Sequence, residues 1–65
     1  MFEITLSARE FDSEARYVLI QNGGILHAGI NARDDIGLAI FRMTFPTMQD
    51  FIDGMTCLKM MQENR

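Results

Sequence analysis

Sixty-five residues weighing 7.4 kDa make at most one small domain, and nearly half of them are apolar. That share excludes a disordered or collagen-like chain, and no apolar run approaches the roughly 18–20 residues that a membrane-spanning helix needs. Nine acidic against six scattered basic side chains leave a net charge of −3, without the basic stripe that most nucleic-acid binders carry.

Taken in chain order, Phe2-Glu3-Ile4-Thr5-Leu6-Ser7 alternates apolar and polar residues, which predicts a strand burying Phe2, Ile4 and Leu6. Residues 8–21 support two readings. As a helix, Ser7 and Glu10 form a capping box, Ala8, Phe11, Ala15, Val18 and Leu19 share an arc, and Asn22-Gly23 is the stop. As a strand, Tyr17-Val18-Leu19-Ile20 runs into an Asn-Gly hairpin turn, with Asp12-Ser13-Glu14 as the preceding turn. The strand reading is preferred and the helical one stays open.

Residues 25–31 read as a strand with Leu26, Ala28 and Ile30 on one face, and Ala32-Arg33-Asp34-Asp35 as a polar connector. Ile36 to Phe45 reads as a long strand apolar on both sides. Ile36, Leu38 and Ile40 are on one side, and Ala39, Phe41, Met43 and Phe45 on the other. Pro46 ends it. Thr47 with Asp50 caps a helix whose core stripe is Met48, Phe51, Ile52, Met55 and Leu58. The expected fold is α+β: a small antiparallel sheet, β-β-β-β-α preferred and β-α-β-β-α as the alternative, with the C-terminal helix across one face.

A chain this short has a small core and commonly needs a staple. Cys57 is the only cysteine, so no internal disulfide is available, and one Cys with one His (His27) falls short of a zinc set. Self-association is the remaining staple. Gly54, Cys57 and Met61 line a second side of the last helix and are its expected oligomer interface.

The chemistry-bearing residues are few. His27 lacks a nucleophile or orienting partner at any recognisable spacing and reads as a hydrogen-bonded strand residue. Cys57, mid-helix among apolar neighbours, reads as packing. The glycines match neither phosphate-loop pattern, and Asp34-Asp35 lacks the further oxygen ligands of a calcium or magnesium loop. No cofactor, metal or enzymatic activity is expected.

Binding residues concentrate on loops, so a target is expected to meet Asn22, Arg33, Asp34 and Asp35. The expected function is a non-enzymatic homo-oligomer, such as a homodimer, that docks on another protein and occludes it. Inhibitors of this kind are carried by phages and mobile elements. The methionines would supply an adaptable surface. The alternative is a small-ligand, nucleotide or single-stranded nucleic-acid binder with a groove between subunits, where Arg16, Arg33 and Arg42 hold phosphates and Asn22 to Gly24 supply backbone amides. The N-terminus shows no signal-peptide pattern, and a complete cytoplasmic chain is expected.

Overall fold

The computed structural model describes residues 1–27 and 32–64. Along the chain run β1 (Phe2–Ser7), α1 (Ser13–Gln21), β2 (Ile25–His27), β3 (Ile40–Phe45) and α2 (Met48–Glu63). The fold is the small α+β arrangement expected, in the β-α-β-β-α order. The sheet is antiparallel with β3 in the centre, ordered β1-β3-β2. Both outer strands oppose β3, so β1 and β2 run parallel to each other and α1 connects them.

Register follows the apolar alternation. Phe2, Ile4 and Leu6 lie opposite Phe45, Met43 and Phe41, and Leu26 also meets Met43, which puts all of them on the helix-covered face. Leu6, Leu19, Met43 and Phe45 form the buried cluster, with Phe2, Ile4, Phe11, Phe41, Phe51 and Met55 packed around it. The Phe51 ring bridges sheet and helix, 4.8 Å from Phe2 and edge-on to Phe45 at 5.5 Å. The Arg16 guanidinium closes one side of the core, 4.4 Å above the Phe41 ring, while Arg16 Nη1 donates to the Phe11 carbonyl.

Residues 13–21 are helix, which overturns the preferred four-strand reading. Helix wins because its periodicity sends Ala15 and Leu19, one turn apart, into the core together. Asn22-Gly23-Gly24 then stops the helix rather than turning a hairpin. The Gly24 N–H donates to the Leu19 carbonyl (3.0 Å) and the Gly23 N–H to the Ile20 carbonyl (3.1 Å), the paired bonds of a Schellman cap. Gly23 has φ +100° but Asn22 has φ −99°, whereas a type I′ hairpin turn needs both positive.

The helix starts later than the expected capping box. Asp12 is the N-cap, its Oδ1 accepting from the Ala15 N–H at 2.9 Å, and Glu14 lies in the first turn where a negative charge suits the dipole. The Ser7 carbonyl instead closes a turn, accepting from the Glu10 and Phe11 N–H groups. In α2 the expected cap is present, with Thr47 Oγ1 accepting from the Asp50 N–H at 3.2 Å.

The core side of α2 is rotated from the expected stripe. Gly54 and Leu58 are buried, Phe51 and Met55 half-buried, and Met48 and Ile52 exposed. Gly54 lets α1 come close: a Cβ there would stand 3.0 Å from Leu19 Cδ2 and 3.3 Å from Asn22 Cβ. The line facing α1 is therefore the buried one, and the far flank is left in water. No helix among the described residues is long and apolar enough to cross a membrane.

Candidate functional site: the 33–38 hairpin tip

The long strand expected from Ile36 begins only at Ile40, and the residues before it close a tight tip. The Ile40 N–H donates to the Ala32 carbonyl, Arg33 bridges Ala39, and the Asp34 N–H donates to the Leu38 carbonyl at 2.8 Å. Asp34 organises what lies between. Its Oδ1 accepts from the Ile36 N–H (3.0 Å) and the Leu38 N–H (2.9 Å), and its Oδ2 from the Ser7 hydroxyl of β1 (3.2 Å). Gly37 turns the chain at φ +83°, a conformation that favours glycine, and its carbonyl accepts from Arg33 Nη1 at 2.9 Å. An alternating pattern could not reveal this, because Asp34 satisfies backbone groups that a strand would have paired.

The tip holds two aliphatic side chains in water, Ile36 at 59% and Leu38 at 41% of full exposure. Charge around it is balanced: Arg9 stands 3.8 Å from Asp35, an exposed pair of little energetic weight, and Arg33 lies beside Asp34.

Partial withdrawal from water pushes the Asp34 carboxyl up. The N–H groups of Leu38 and Ile36, the Ser7 hydroxyl and the Arg9 charge together outweigh that and hold it below its usual 3.8. A carboxylate with a lowered native pKa stabilises the fold above its unfolded value of about 3.9, and this contribution is lost as pH falls through the native value. Below about pH 4 the urea midpoint of the wild type is therefore expected to fall more steeply than that of Asp34→Asn. Parallel acid limbs for the two proteins would show that the tip bonds do not act on the charged form.

Four candidate contact residues were expected from sequence, and the structure divides them. Arg33, Asp34 and Asp35 come together in the tip, with Asp34 turned inward as its lock and Arg33 and Asp35 exposed. Asn22 is elsewhere and occupied: it caps α1, and its Nδ2 donates to the Val18 carbonyl at 2.9 Å. The apolar residues Ile36 and Leu38 were missed as site residues because their alternation read as a buried strand face.

The strip expected to meet a second copy is divided between the inside and the surface. Gly54 is buried against α1 of its own chain, so the close backbone approach is intramolecular, and Met61 is half-buried. Cys57 is exposed rather than packed, its Sγ 3.7 Å from Asn22 Oδ1 at the seam of the two helices.

The sheet face away from the helices carries Glu3, Thr5, Ser7, Arg42, Thr44 and His27 beside Ile40 and an exposed Ile25, so it is mainly polar with two isoleucines among the polar residues. His27 is half-buried there, Nε2 2.8 Å from the hydroxyl of buried Thr44. Within one chain the three arginines of the ligand-binding alternative lie apart: Arg16 is over Phe41 on the helix side, Arg42 is on the opposite face, and Arg33 holds its own loop. Among the described residues no three His, Cys, Asp or Glu side chains converge on a common point.

The chain matches no protein-family model, no curated protein and no solved structure.

Proposed function

We propose that this chain is a non-enzymatic docking module that presents its 33–38 tip to an apolar pocket on another protein and covers that site. One observation carries the reading: a carboxylate bonded to two backbone N–H groups and to β1 fixes a loop whose most prominent side chain is an exposed isoleucine. Ordering a loop before binding removes an entropic cost from association, and an apolar anchor supplies the contact energy. Because Arg9, Arg33, Asp34 and Asp35 balance locally, the partner pocket needs no strong charge, and binding is expected to depend weakly on salt. A nucleic-acid target would give a steep salt dependence instead.

The test compares what immobilised variants retain from a lysate of the cells that produce the chain. Ile36→Asp removes the anchor. Met48→Asp makes a similar change at the start of α2, beyond the Phe2–Phe45 end of the sheet and away from the tip. A partner held by wild type and by Met48→Asp is expected to bind Ile36→Asp about 30-fold more weakly, the effect of a central apolar hot spot of about 2 kcal/mol. Equal retention by all three proteins would remove the tip from the interface.

A further inference from the structure

No described residue pairs with the outer edge of β1. Ala8 N–H donates to the Ala39 carbonyl opposite it at 2.9 Å, and in an antiparallel ladder such bonded pairs recur at every second residue. Phe2, Ile4 and Leu6 therefore bond inward to β3, while Glu3, Thr5 and Ser7 turn their backbone groups outward. The Ser7 carbonyl is already taken by the turn that follows, through Glu10 and Phe11. Glu3 and Thr5 are left with both N–H and C=O unpaired by any described residue, on a strand with no proline or lysine to protect it.

We infer that this edge is covered by a second copy of the chain, β1 pairing antiparallel with β1 of its partner about a two-fold axis through Ile4. The register follows from the groups that are free. Centred on Ile4, Glu3 of each copy faces Thr5 of the other, so each donates and accepts once and no outward group of either residue is left over. Centring on Thr5 would instead direct the Glu3 N–H at the occupied Ser7 carbonyl.

Charge and packing agree with the same register. Glu3 meets a neutral threonine rather than its own copy. On the other face Ile4, half-buried in one chain, meets Ile4 in a close non-hydrogen-bonded pair, while Phe2 falls opposite Leu6, which its own chain already buries. A groove of about 450 Å³ along α2 is lined by Phe51, Ile52, Met55 and Lys59 among others, and its Phe51 ring lies 4.8 Å from the ring of Phe2 in β1. The pairing would join two small sheets into one of six strands, lengthening the core that a 65-residue chain can build alone. Its contacts are made by β1 and not by the 33–38 tip, so it stands or falls separately from the docking proposal.

Sedimentation equilibrium of the untagged chain, up to about 1 mM so that dissociation constants to that value are seen, tests the pairing. A reversible dimer is expected. Thr5→Pro removes an N–H that β3 does not use and is expected to weaken the dimer about 10- to 100-fold, since the bond is lost in both copies. Ile52→Glu, on an exposed flank of the groove, is expected to weaken it without touching the strand. In a Cys57→Ser background, Ile4→Cys is expected to oxidise to a reducible dimer, because paired Cα atoms about 4.5 Å apart fall within disulfide range. A monomer throughout the concentration range would overturn the inference. So would a dimer that survives both weakening variants and yields no Ile4→Cys cross-link.

Discussion

Phe45→Ala is expected to leave the chain largely unfolded at 25 °C. Phe45 is fully buried at the end of the central strand, pairs with Phe2 across the sheet and meets the Phe51 ring edge-on. Truncating a buried phenylalanine costs about 3–5 kcal/mol through lost transfer energy and the cavity it leaves. At about 0.05–0.15 kcal/mol per residue, a domain of 65 residues has only about 3–10 kcal/mol in all. The cavity also opens at the one place where β1, β3 and α2 meet through aromatic rings, so the neighbours have little else to collapse onto. Far-UV circular dichroism and a urea titration read the outcome. A cooperative transition less than about 1 kcal/mol weaker than wild type would mean that this aromatic junction is not the centre of the core.

Gly24→Ala should be the second most damaging small change, and Gly54→Ala is its control. A Cβ at Gly24 would stand 2.6 Å from Met43 Sδ, 2.9 Å from the Leu19 carbonyl oxygen and 3.1 Å from the Phe45 ring. The thioether can swing aside. The Leu19 carbonyl is less free, because it accepts the Gly24 N–H in the cap that ends α1. Overpacking of this kind costs about 1–3 kcal/mol, and here it also pries β2 from the helix before it.

At Gly54 the tightest neighbour is the far end of the Leu19 side chain, which yields more easily, and alanine recovers about 1 kcal/mol of helix propensity. Gly54→Ala is expected to stay within about 1 kcal/mol of wild type, with Gly24→Ala clearly below both in urea midpoint. The reverse order would contradict the packing of the α1 C-terminus against β3.

Much of this fold was legible in the residues. Period-two alternation placed β1 and its buried side, Pro46 marked the end of β3, and Thr47 with Asp50 marked the start of α2. The first helix was harder, because Tyr17 to Ile20 is short and apolar and Asn-Gly serves both hairpins and helix ends. The deciding fact, Leu19 filling the core, is tertiary, and the Gly24 N–H donating to the Leu19 carbonyl is a local bond that the Asn-Gly pair alone does not announce.

The tip was half legible. Arg33, Asp34 and Asp35 stood out as a polar loop, but the alternation through Ile36, Leu38 and Ile40 concealed that the first two are displayed rather than buried. An aspartate two residues before an isoleucine, with glycine next, was the local signal of a side chain bonding forward to the backbone. The side of α2 that meets α1 was likewise visible as a second stripe, but a stripe alone does not say whether the neighbouring helix belongs to the same chain.

The docking proposal requires a tip that is ordered before any partner arrives, and amide hydrogen exchange followed by NMR measures that directly. The N–H groups of Ile36 and Leu38 belong to exposed residues, yet both are held by the Asp34 carboxylate. Both are expected to exchange well below unstructured-peptide rates in the wild type, and to approach those rates in Asp34→Ala while amides of the Leu6–Phe45 core keep their protection. Ile36 and Leu38 exchanging in the wild type as fast as in a free peptide would contradict a preformed tip and the docking function built on it.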